Sequence, residues 1–66
     1  MKVFIERQKK TVTVVWKKGL TVRLVAVQVG CNPVEVVPSV NGVIVADEYV
    51  LAKDDKVEFF SVVSGG

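Results

Sequence analysis

Cys31 is the only cysteine of this chain, and histidine is absent. A chain of 66 residues therefore has neither an internal disulfide nor a Cys/His metal cluster to staple it. A domain so small is held by its packed core alone. Half of the residues are hydrophobic, which supplies such a core and argues against disorder. The same two absences exclude a Ser-His or Cys-His nucleophile pair. No run of about 18 apolar residues occurs, so a membrane span is not expected. Nor is there a charged-then-apolar leader, so no secretion signal is expected. These features fit a cytoplasmic domain.

Strands must build most of the core. Lys2 to Gln8 reads as a strand, with Val3 and Ile5 on one face and Phe4 and Glu6 on the other. Lys9-Lys10 reads as a turn, and Thr11 to Trp16 as a second strand with Val12, Val14 and Trp16 on one face. Val36 to Val40 reads as a third strand, and Pro38 within it predicts a sheet edge. Asn41-Gly42 is a strong hairpin signal leading into a short strand, Val43 to Val45. In the connection from Ala46 to Leu51, Tyr49, Val50 and Leu51 are expected to anchor to the core. Lys53-Asp54-Asp55-Lys56 reads as a turn, its acids being turn residues and not an acid/base pair. Val57 to Val63 is the last strand.

Leu20 to Cys31 is ambiguous. Val22, Val25, Ala26 and Val29 follow the spacing of a helical face, Thr21 is a suitable N-cap, and Gly30 a suitable stop. Valine lowers helix propensity, and Val25, Val27 and Val29 also alternate as a strand would. The caps favour helix, which leaves Leu24 and Val27 exposed. One helix cannot bury its stripe alone, so it must lie across one face of a sheet. The predicted fold is α+β, a β-grasp: a mixed sheet of four to five strands, one main helix across one face, and first and last strands parallel. Residues 1–66 form one domain, with 64–66 a flexible diglycine tail. Read as a strand, the ambiguous segment would instead make a small basic barrel of the nucleic-acid-binding kind. Phe4, Trp16, Tyr49, Phe59 and Phe60 are not interleaved with the Lys/Arg clusters, which disfavours nucleic acid as a partner.

Charge is uneven. Residues 1–23 carry seven Lys/Arg against Glu6 alone, whereas residues 44–66 carry Lys53 and Lys56 against five acids. Such asymmetry can steer a partner, although Lys2, Arg7 and Arg23 also read as ordinary surface charge.

The sequence ends in Ser64-Gly65-Gly66. Two residues without Cβ atoms fit a narrow channel, and a terminal carboxylate, with a reference pKa of roughly 3.3–3.7, is ionised at neutral pH. That is the form in which an enzyme would take up a tail. No group in the chain could activate the carboxylate, and Gly19 and Gly42 are isolated turn glycines, not a phosphate-binding loop. Catalytic and metal-ligating residues are therefore expected to be absent, and no tightly bound cofactor is expected.

Four stretches together carry a resemblance: Gly19-Leu20-Thr21-Val22-Arg23, Val40-Asn41-Gly42-Val43-Ile44-Val45, Asp54-Asp55-Lys56-Val57, and Val62-Val63-Ser64-Gly65-Gly66. Across its whole length the chain resembles the ubiquitin-like sulfur carriers of the ThiS and MoaD type, and is similar to archaeal small modifiers and ubiquitin-related modifiers. It departs from them at Leu24 and Val27, where the family is usually polar; Val15 and Val34 are also more apolar than the pattern needs. The resemblance implies a carrier, not an enzyme, whose Gly66 carboxylate is adenylated by a ubiquitin-activating-like partner using ATP and magnesium. A persulfide protein then supplies sulfur, and the thiocarboxylate serves a downstream synthase or thiolase in thiamin, molybdopterin or tRNA thiolation. In the modifier branch, Gly66 acylates lysines of other proteins. Gly65 and Ser64 form the tail. If the helix covers Val57 and Phe59, an outward patch of Phe4, Phe60 and Val62 would dock the partner. A sulfur-relay role for Cys31 is the lesser reading beside a small half-buried hydrophobe.

Overall fold

The computed structural model describes residues 1–62. Val63 and the predicted tail, Ser64, Gly65 and Gly66, lie outside the described residues. Strands β1 (Lys2–Ile5), β2 (Lys10–Thr13), β3 (Val36–Val40), β4 (Val43–Ile44) and β5 (Val57–Ser61) form one sheet in the order β2-β1-β5-β3-β4. β1 and β5 are parallel, with Val3 opposite Val57 and Ile5 opposite Phe59. The remaining pairs are antiparallel. Helix α1 (Val22–Gln28) supplies Val22, Val25 and Ala26 to the core, beside Val3, Ile5, Leu20, Val57 and Phe59. This is the β-grasp arrangement, a mixed five-stranded sheet with one helix across it.

The helical reading of Thr21–Gly30 holds because both helix ends are satisfied. The Thr21 side chain accepts from Leu24 N, while Tyr49 O and Asp47 O take the N–H groups of Val22 and Arg23 at 3.0 and 2.8 Å. At the other end Gly30 has φ +82°. Its N–H bonds Val27 O, and Cys31 N–H bonds Ala26 O at 2.8 Å, which closes the helix in a Schellman motif. Three helical valines cost about 2 kcal/mol in propensity. Burial of Val22 and Val25 to 1% and 0% exposure offsets this at roughly 1.5–3 kcal/mol each. With the segment helical, the barrel alternative fails.

Several boundaries differ from expectation. β1 ends at Ile5, and Glu6–Gln8 form a 3-10 turn closed by Lys9 at φ +51°. Lys10 thus opens β2 opposite Ile5 and is not part of the turn. β2 ends at Thr13, after which Val14 is buried and Trp16 turns inward to donate its Nε1–H to Leu51 O at 2.9 Å. Pro38 does not mark a sheet edge, since β3 lies between β5 and β4. The tolerance is local. Pro38 O accepts from Val45 N, so the side lacking an N–H faces the place where β4 has already ended at Ile44. In the connection, Leu51 is buried, but Tyr49 and Val50 are 42% and 61% exposed. They are held through backbone to Thr21 and Val22, so their side chains are not needed as anchors.

Asn41 and Gly42, at φ +53° and +85°, form the tight β3–β4 turn. Asn41 also ties two turns together. Its Nδ2 donates to Asp55 Oδ1 at 2.8 Å, and its Oδ1 accepts from Lys56 N at 3.0 Å. Asp55 Oδ2 further accepts from Ala52 N at 2.7 Å.

Candidate functional site

The pleat sorts β1 and β5 into two faces. Val3, Ile5, Val57 and Phe59 are at most 2% exposed beneath the helix. Their alternates, Lys2, Phe4, Glu58, Phe60 and, beyond the strand, Val62, point to the open face. Phe4 and Phe60 are half-buried and Val62 is exposed. Phe4 does not sit directly beside Phe60. It lies opposite Glu58, while Phe60 lies opposite Val37 of β3. The two rings therefore flank Glu58 across and along the sheet.

Three members of this face were not singled out from sequence. Val37 follows from the β3–β5 register, and Ile44, 69% exposed, lies opposite Ser39 on β4. Glu58 stands in the middle. The alternation after Asn41-Gly42 was the available signal for Ile44, and the i, i+2 relation to Phe60 was the signal for Glu58.

β5 leaves the sheet between two supports. Ser61 N–H donates to Glu6 Oε1 at 3.1 Å, and Val62 N–H donates to Glu35 O at 3.1 Å. Arg7 Nη1 lies 3.9 Å from Glu35 Oε1 with both side chains largely exposed, an ion pair of small energetic weight. Beside this exit, on the helix side, a cavity of about 400 Å³ is lined by Gln8, Cys31, Asn32, Glu35 and Ser61, among others. Burial pushes the Cys31 thiol up, and nearby Arg7 only partly opposes this. A thiol held protonated is a poor nucleophile, so the cavity does not favour a relay role.

At the opposite end, Arg23 Nε donates to Asp47 Oδ2 at 3.0 Å and holds that carboxyl below its usual range. Arg23 is thus tied into the helix N-terminus. Asp55 is a structural acceptor for Asn41 and Ala52, in keeping with the turn reading. Among the described residues, no helix is long and apolar enough to cross a membrane.

The family model described as ThiS family matches residues 1–66. The chain belongs to the ThiS family. Among curated proteins, none matches it at a significant level. ThiS-family proteins are small ubiquitin-like sulfur carriers that work with an adenylating enzyme. The open sheet face that carries Phe4, Phe60 and Val62 adjoins the end of β5.

Proposed function

We propose that this ThiS-family chain carries sulfur as a thiocarboxylate on Gly66, and that residues 1–66 act as one unit whose last three residues, Ser64, Gly65 and Gly66, enter a partner's active site. The match to the family over residues 1–66 carries this reading. In the first step the Gly66 carboxylate attacks the α-phosphorus of ATP, pyrophosphate leaves, and an acyl-adenylate forms. ATP and magnesium are held by the adenylating enzyme. The outer sulfur of a protein persulfide then displaces AMP to give an acyl disulfide. A second cysteine thiolate of the partner proteins attacks the donor's sulfur in that S–S bond, which releases the thiocarboxylate and leaves a disulfide on the partners. A synthase or thiolase withdraws that sulfur for thiamin, molybdopterin or tRNA thiolation. The cycle is assigned to the cytoplasm.

The carrier docks through Phe4, Phe60 and Val62. Half-buried aromatics around an open sheet centre, with a more exposed aliphatic at the rim, are the composition of an interface centre. Phe60→Glu is expected to weaken docking while leaving the melting temperature close to wild type. Removing Gly65-Gly66, or substituting Gly66→Ala, is expected to abolish ATP–pyrophosphate exchange without unfolding the domain. Undiminished exchange by the truncated chain defeats the proposal.

The decisive measurement is the intact mass of the chain isolated from its own cells, with fragmentation. A gain equal to replacement of one oxygen by sulfur at Gly66 supports the carrier cycle. Unmodified chain together with branched peptides bearing Gly65-Gly66 on lysines of other proteins would move the function to protein modification.

A further inference from the structure

Docking through the open face buries whatever stands at its centre, and there stands a carboxylate. Glu58 lies opposite Phe4 on one side and Ser39 on the other, with Phe60 two residues along the same strand. Glu58 is half-buried, whereas Ser39 is 3% exposed, so the surface dips beside it toward Ile44. Among the described residues, the two ion pairs are Arg7–Glu35 and Arg23–Asp47, and neither uses Glu58. It also takes no side-chain hydrogen bond there; the carboxylates that do are Glu6, Asp47 and Asp55.

A carboxylate removed from water without a counter-charge is strongly disfavoured. The apolar residues around Glu58 cannot be covered while it stays hydrated. Because neither ion pair among the described residues sets a cation of the chain itself on Glu58, a partner that brings one to this point fits it. Geometry selects which cation. Neighbouring strands are about 4.8 Å apart and alternate residues of a strand about 6.7 Å apart. A group bound to Glu58 thus lies beside Phe4, within the roughly 6 Å range over which a cation is attracted to an aromatic face, while Phe60 stands just outside it. A guanidinium can stack on a ring and still present two parallel N–H donors to a carboxylate, which an ammonium cannot. An open groove of about 520 Å³, lined by Met1, Lys2, Phe4, Lys56 and Glu58 among others, runs from this point toward the start of β1 and gives room for a long side chain.

We infer that Glu58 receives an arginine of the adenylating enzyme, its guanidinium resting against Phe4 in the groove that the two residues share. The inference rests on the docking reading above. Phe4 and Phe60 provide contact area, and Glu58 fixes which partner surface fits and in what register. Lys2 and Lys56 line the same groove and favour a partner that brings one directed cation over one with a broad basic surface.

The test measures Kd between the full chain and the adenylating enzyme encoded in the same genome, at low and high salt, for wild type, Glu58→Gln and Phe60→Glu. Glu58→Gln keeps shape and removes charge. It is expected to weaken binding about 10- to 100-fold, the scale of a hydrogen bond to a charged group. It should also flatten the salt dependence and leave the melting temperature unchanged. Wild-type or tighter binding by Glu58→Gln, with binding lost in Phe60→Glu, overturns the arginine and leaves docking through this face intact. Wild-type binding by both variants overturns the docking reading and the inference together.

Discussion

Asn41 makes a prediction whose size follows from its geometry. It combines a left-handed backbone, φ +53°, with two side-chain hydrogen bonds, to Asp55 Oδ1 and from Lys56 N. Both bonds are exposed, so each is valued at the low end, about 0.5–1 kcal/mol. Asn41→Gly deletes the bonds but keeps the backbone relaxed, and is expected to cost about 1.5 kcal/mol. Asn41→Ala deletes the same bonds and strains the backbone, which adds roughly 1 kcal/mol. A chain of this size has a total stability of roughly 3–10 kcal/mol, so the alanine variant loses a large share of it. At about 4–8 °C per kcal/mol, the glycine and alanine variants should melt about 9 and 15 °C below wild type. Urea unfolding followed by the fluorescence of half-buried Trp16 gives the free energies, and pairing each change with Asp55→Ala gives the coupling between the two side chains. A glycine variant within about 0.3 kcal/mol of wild type would show that the cross-turn bonds contribute nothing. Equal losses for glycine and alanine would refute the backbone part of the reasoning.

Three further outcomes are expected. The Asp47 carboxyl is held low by Arg23, so its contribution is full above the unfolded carboxylate value of about 3.9 and is lost as pH falls through the lower folded value. The stability gap between wild type and Asp47→Asn should therefore be present at pH 7 and close in acid, as read by urea titrations across pH. Cys31, raised by burial, should react with iodoacetamide more slowly than a free thiol at pH 7.5 and speed up only at higher pH, while Cys31→Ala should load sulfur normally. Val27 is 62% exposed on α1, and Val27→Arg should raise stability by about 0.4 kcal/mol through helix propensity; a loss would mean that the valine covers apolar surface.

Sequence pattern made the architecture legible wherever a single residue had one physical meaning. Thr21 and Gly30 marked the helix ends against the bias of the valines, because a cap acts on unpaired backbone groups that propensity scales ignore. Asn41-Gly42 located its turn for the same reason. Pattern failed where tertiary partners decided. Nothing local says that Trp16 finds Leu51 O, so the alternation of Val12, Val14 and Trp16 read as a longer strand than β2. Tyr49 and Val50 looked like anchors because apolar residues usually bury themselves, whereas it is their backbone that docks on Thr21 and Val22. At the candidate site, alternation located Phe4 and Phe60, but their relation to Glu58, Val37 and Ile44 depends on register between strands distant in sequence.

The central place of β5 has a mechanical consequence. β5 is flanked by β1 on one side and β3 on the other, and β1 and β5, the first and last strands, run parallel. Tension applied between the two ends of the domain therefore loads the β1–β5 hydrogen bonds in shear, so that they must yield together and not one after another. A pull on the C-terminal side of the domain runs along the direction in which its sheet resists best. Proteolytic machines that unfold substrates by tugging at that end would meet the strongest part of the fold first.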